Sequence, residues 1–201
     1  MKEFFGIFAA LIVFASYPIY GVRIWQRKIT PNLVSWIIFV TLSFAIALSS
    51  FASGGRTNSW VTIGPLLGTT SILIIAIFRS KVISVNGFDL VCLILGTFSI
   101  VLWYFTRQSK ELAQYALYLS LLADFIGILP TAKFLYKNPE KDRPAMWIIF
   151  SLGYLFSMFA ITENTFSNWV LPAFMFFAPA LVWIPLLQYR IKNKIPLCEW
   201  I

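Results

Sequence analysis

The chain has 201 residues, of which 59% are hydrophobic and only 12% charged, with a mean hydropathy of +0.80. A water-facing surface needs roughly twice that charged fraction, so a soluble domain is excluded. The net charge of +8 lies in short segments beside apolar runs, a placement that fits topology signals and anionic headgroups rather than nucleic acid.

Seven apolar runs occur, at residues 4–25, 33–52, 60–78, 88–106, 113–136, 145–161 and 169–189. As helices, runs of about 20 residues cross a hydrocarbon core of about 30 Å. The first imitates a signal peptide, but it continues past Tyr17 without a small-residue cleavage site and is kept as a span. The expected class is an all-α integral membrane protein with seven transmembrane helices. Twelve Lys and Arg fall on the side holding the loops after spans one, three and five and the tail, against four on the other. The positive-inside rule therefore predicts an external N-terminus and a cytoplasmic C-terminus. A prokaryotic plasma membrane is the expected location.

The chain also echoes itself. Pro18, a basic turn and Trp36-Ile-Ile-Phe39 are answered by Pro130, a lysine-rich turn and Trp147-Ile-Ile-Phe150, with proline and tryptophan 18 residues apart in the first copy and 17 in the second. Asn58-Ser59-Trp60-Val61 is answered by Ser167-Asn168-Trp169-Val170. Three landmarks in one order at similar spacing point to an internal duplication of about 70 residues. The predicted units are a first three-helix repeat at 1–78, a linker with the fourth helix at 79–112, a second repeat at 113–189 and a tail at 190–201. The single linking helix gives both odd-numbered repeats the same orientation, so the repeats are parallel.

This plan of three, one and three helices resembles the SWEET and PQ-loop transporter superfamily, whose members also have an external N-terminus. The resemblance rests on Pro18 and Pro130 late in the first helix of each repeat, the basic loops, the loop prolines Pro31 and Pro144, and Trp36 and Trp147 opening the next helices. Asn32 and Ala145 stand where the family has the glutamine of its Pro-Gln pair, the mark of a remote member. The resemblance implies a site between the repeats lined by the third and seventh helices, with Pro18 and Pro130 as inner-gate hinges. It leaves the ligand open, since members move sugars, amino acids or vitamin precursors and the KDEL receptors bind peptides. The mid-membrane asparagine of sugar-transporting members is absent from these two helices.

Asp124 is the sharpest signal from the residues themselves. It lies twelfth in a fifth span of 24 residues, a depth at which a carboxylate costs several kcal/mol unless neutral, paired or wet. Intramembrane acids of this kind mark proton relays and ligand sites, and a helix-stapling acid is the structural alternative. Ser120, one turn earlier on the same face, is placed to hydrogen-bond it. Thr69, Thr70, Tyr154 and Trp183 are further candidates for substrate binding, although threonines in membrane helices usually bond their own backbone. Gly64 and Gly68 read as a small-residue packing face. Trp36, Trp60, Trp147 and Trp169, at span ends, read as interface anchors.

Histidine is absent, and Cys92 and Cys198 make neither a disulfide framework nor a metal motif. No phosphate-cradling loop, zinc spacing or nucleophile–base set is present, and the last span has no lysine for a retinal Schiff base. The sequence implies no enzyme and no cofactor. It reads as a transporter of a small polar solute working by alternating access, possible proton coupling passing through Asp124, with the lipid bilayer as its surroundings. The alternative is a receptor or membrane scaffold on the same fold. Oligomeric state is not legible.

Overall fold

A computed structural model describes residues 1–27, 33–54, 56–79, 85 and 87–200, with only the backbone described at 56–59, 130 and 134. All regular structure among these residues is helical. The helices are α1 (Lys2–Trp25), α2 (Leu33–Ala52), α3 (Arg56–Arg79), α4 (Gly87–Thr106), α5 (Lys110–Lys137), α6 (Pro144–Met158), α7 (Phe166–Phe177) and α8 (Ala180–Lys192). Six stretches are long and apolar enough to cross a membrane, with α7 and α8 counting together as one. An all-α integral membrane protein is the class these helices fit.

Helix is the expected answer to this composition, because in hydrocarbon a helix satisfies nearly every backbone N–H and C=O within its own segment. Large apolar side chains duly cover the outside, among them Leu11, Ile77, Phe98 and Phe177.

Two predicted spans need correction. The sixth, expected at 145–161, is a helix of 15 residues, roughly 22 Å long, and falls below the length of the other six. Pro144 starts it at the first helical position, where a missing N–H costs nothing. Its end tightens into a 3-10-like turn in which Phe159, Ala160 and Ile161 donate to Phe156, Ser157 and Met158. The seventh is not one rod: it divides at Ala178 and Pro179 into α7 and α8. Pro179 brings no N–H, and the backbone resumes with Val182 and Trp183 donating to its carbonyl.

Helix α3 packs against both α1 and α2, and α8 packs against both α5 and α6. Across the molecule α1 meets α6 while α2 meets α5, and α4 leans on α2 and α5. Only 17% of the apolar window of α4 is buried, against 50% for α2, so α4 lies at the edge.

The tightest approach is to α1. A Cβ at Gly68 would run into the Tyr17 ring, and one at Gly64 would stand 2.9 Å from the Ala10 carbonyl oxygen. The small-residue face read in α3 is therefore a seat for α1. On the opposite side, a Cβ at Gly153 of α6 would meet the Val13 side chain and lie 2.9 Å from its backbone nitrogen. Backbone cannot yield as a flexible side chain does, so both helices must separate if either glycine is enlarged.

Gly153→Leu should accordingly destabilise the fold by about 1–3 kcal/mol, the usual cost of overpacking. Gly87→Ala, whose added Cβ meets nothing within 4 Å, is the matched control. Thermal unfolding in detergent measures both, and a Gly153→Leu midpoint equal to that of the control would disprove the close seat.

Candidate functional site

A cavity of about 80 Å³ lies at the centre of the bundle. It receives side chains from α1, α2, α3, α5, α6 and α7, together with Pro179. The walls follow the sequence echo. Trp36, Phe39 and Ser43 of α2 face the cavity, and so do Trp147, Phe150 and Tyr154 of α6, each 111 residues further on. Ser16 of α1 and Ile128 of α5, 112 residues apart, line it too. The α3 contribution is Thr62, Pro65 and Thr69, while α7 adds Met175.

Rings dominate this wall. Phe150 packs edge-on to Tyr17 at 6.2 Å and tilted against Tyr154 at 5.1 Å. Trp36 lies between Tyr20 at 5.4 Å and Phe39 at 5.7 Å. Tyr154 is fully buried, and its hydroxyl has no hydrogen-bond partner among the described residues. A buried hydroxyl left unpaired costs about 1–3 kcal/mol.

Asp124 brings a carboxylate to the same space. It is partly exposed, and among the described residues no hydrogen bond or ion pair joins it to another group. Tyr17 and Tyr154 are within its electrostatic reach. Ser120 does not serve it: the Ser120 hydroxyl is buried and donates to the Ala116 carbonyl at 2.8 Å. The backbone acceptor one turn back is always at hand in a helix and wins over a carboxylate one turn ahead.

The remaining predicted residues divide. Thr69 reaches the cavity but donates to the Pro65 carbonyl at 2.7 Å, with Ser43 more distant at 3.5 Å. Thr70 is outside the cavity wall and donates to the Leu66 carbonyl at 2.6 Å. Trp183 also lies off the wall, its indole N–H given to Ser151 at 3.2 Å, which ties α8 to α6. Pro18 is exposed on an outer groove between α1 and α3, inside a helix that runs unbroken past it. The side chain of Pro130 lies outside the described residues, as do the turn with Pro31 and Asn32 and the side chains of Asn58 and Ser59.

Two tryptophans change role. Trp36 is 7% exposed and Trp147 is partly buried, and both face the cavity rather than the bilayer boundary. Trp60 and Trp169 are 48% and 42% exposed on the outside of the bundle. The sequence signal that separates the pairs is the Trp-Ile-Ile-Phe echo, which repeats a whole helical face rather than one residue.

Trp147 also links the cavity to the end of the bundle where α5 passes into α6. Its indole N–H donates to an Asp142 carboxylate oxygen at 3.1 Å, and the Arg143 amide donates to the other at 2.7 Å. Arg190, wholly buried, donates to the Asp142 backbone carbonyl at 2.8 Å. The tail closes over this cluster, with the Ala145 amide donating to the Trp200 carbonyl.

Burial pushes the Asp142 carboxyl above its ordinary range, against the lowering pull of the Arg143 amide, the Trp147 indole and the two nearby arginines. A group whose folded-state pKa is raised favours folding fully below its ordinary value of about 4, and that contribution is lost as pH climbs through the raised value. Asp142→Asn keeps an acceptor oxygen and removes the titration. Its stability in detergent should stay flatter than that of the parent as pH rises above about 4, and parallel curves would refute the linkage.

Compared with known proteins, the chain matches no family model, no curated protein and no solved structure.

Proposed function

We propose that the protein carries a small polar solute across the membrane by alternating access, with the central cavity as the binding site and Asp124 as its ligand-binding or proton-coupling acid. The observation carrying this reading is the cavity itself. It sits where two sets of helices meet, its walls come from positions 111 and 112 residues apart, and it holds an acid without a described protein partner.

The helix neighbours support the arrangement of two parallel three-helix repeats joined by α4. In one set the third helix, α3, stands between α1 and α2; in the other the broken α7–α8 span takes that place between α5 and α6, through α8. The sets meet as α1 on α6 and α2 on α5, the exchange of roles that a twofold axis along the membrane normal produces. In this reading α6 with its 3-10 extension to Ile161 is the sixth crossing and brings the total to seven. The same arrangement supports the resemblance to SWEET and PQ-loop proteins. With the N-terminus outside, the Trp36 and Trp147 end of the cavity faces the cytoplasm, near the level of Pro18 and Pro130.

Rocking of one repeat against the other opens the cavity to alternate sides, and the α1–α6 and α2–α5 seams are the surfaces that must slide. Uptake of sugars, amino acids and small amines into liposomes holding the purified protein tests the reading. At least one solute should enter faster than into protein-free liposomes, and Asp124→Asn should abolish that flux. Unchanged flux in the variant removes Asp124 from the mechanism. A ligand that binds and never crosses makes the protein a receptor on this fold.

A further inference from the structure

The described lining of the cavity includes one ionisable acid and no lysine or arginine. The chain is rich in basic residues, yet those with visible partners stand elsewhere: Arg79 lies over Trp25 at 3.7 Å and Arg107 over Tyr104 at 4.4 Å. A carboxylate facing a small apolar space attracts a positive charge and repels a negative one, with little water between to screen either.

Six aromatic rings share the lining with that acid: Tyr17, Trp36, Phe39, Trp147, Phe150 and Tyr154. The face of an aromatic ring carries partial negative charge, so a cation gains over tryptophan, tyrosine or phenylalanine what an anion loses. Ammonium groups bearing methyls suit such a wall best, since they combine positive charge with apolar surface. The rings come from both halves of the molecule, so one cation held between them touches both.

A neutral polyol fits poorly, because it needs free hydrogen-bonding groups in number. Ser16 gives its hydroxyl to the Val13 carbonyl at 2.6 Å, and Thr69 gives its own to Pro65. The hydroxyls of Tyr17, Ser43 and Tyr154, which donate to no described group, share the lining with the Asp124 carboxylate: a few hydroxyls and one acid, enough for a ligand with one polar head. A cavity of about 80 Å³ is also far below the 300–1,000 Å³ typical of drug-sized sites.

We propose that the cavity binds a small organic cation, a primary to quaternary ammonium compound, with its charge against Asp124 and its apolar surface against the paired rings. The proposal deepens the transport reading by giving the solute its chemical class, and it rests on that reading only for the crossing step.

Calorimetric titration of the purified full chain in detergent tests it with methylammonium, tetramethylammonium and choline. The comparison ligands are 3,3-dimethylbutan-1-ol, which replaces the choline nitrogen by carbon, and the anion 3,3-dimethylbutanoate. At least one cation should bind, with the neutral isostere weaker by about tenfold or more and the anion silent. Asp124→Asn should weaken the cation by a similar factor while Asp124→Glu retains binding, so an unfolded Asn variant does not leave the matter undecided. Trp36→Leu and Trp147→Leu should each weaken methylated cations more than methylammonium. Equal affinity for the alcohol and choline overturns the proposal, as does undiminished binding to Asp124→Asn or the absence of binding by all three cations. Liposome uptake separates the two readings: cations that bind without crossing leave this proposal standing and remove transport, whereas a neutral solute that crosses while no cation binds does the reverse.

Discussion

The structure depends first on how closely α1 is held. Lipid tails are as apolar as leucine, so helices in a membrane gain little by hiding hydrophobic surface from one another and associate instead through shape. Helix α1 supplies that shape on two faces. Tyr17 fills the hollow at Gly68, and Val13 fills the one at Gly153. These contacts set how closely α3 and α6 approach α1, and the Tyr17 ring packs against Phe150. The aromatic wall of the cavity follows from a packing requirement.

The two halves are not packed alike. Helices α1 and α3 close over glycines below their outer groove, whereas the groove between α5 and α7 is walled by Tyr118, Phe125, Phe166 and Phe174. Position 12 is isoleucine and its counterpart is Asp124, so the half with the glycine seat carries no acid and the other half carries the charge. The break at Pro179 belongs to the same half as Asp124.

Much of this architecture was legible in the sequence. Hydropathy located the helices within a few residues, because the need to satisfy backbone groups in hydrocarbon leaves little else for apolar runs of that length. The echo of Trp36 and Phe39 in Trp147 and Phe150 anticipated paired positions, and the short polar loops anticipated neighbouring helices. What failed was direction. A tryptophan near a span end looks alike whether it meets headgroups or a cavity, and Trp147 packs inward against the cluster of Ile128, Leu135, Val182 and Leu186 from α5 and α8. Ser120 shares a face with Asp124 and still bonds its own helix, a competition that spacing alone does not decide. The α7–α8 break was hidden because Pro172, Pro179 and Pro185 all fall in one apolar run, and a proline list does not say which of them the neighbours will let bend.

Two charged residues lie in apolar surroundings and are held differently. Arg190 is wholly enclosed, donates to the Asp142 carbonyl, and lies within reach of the Asp142 and Glu199 carboxylates, while two of its three guanidinium nitrogens have no partner among the described residues. Losing the Asp142 contact would leave it closer to the full cost of a lone buried charge. Asp124 has no described partner at all and lines the central cavity together with the buried, unpartnered Tyr154 hydroxyl. On the proposed reading, the cost of that carboxylate falls where an incoming ligand relieves it.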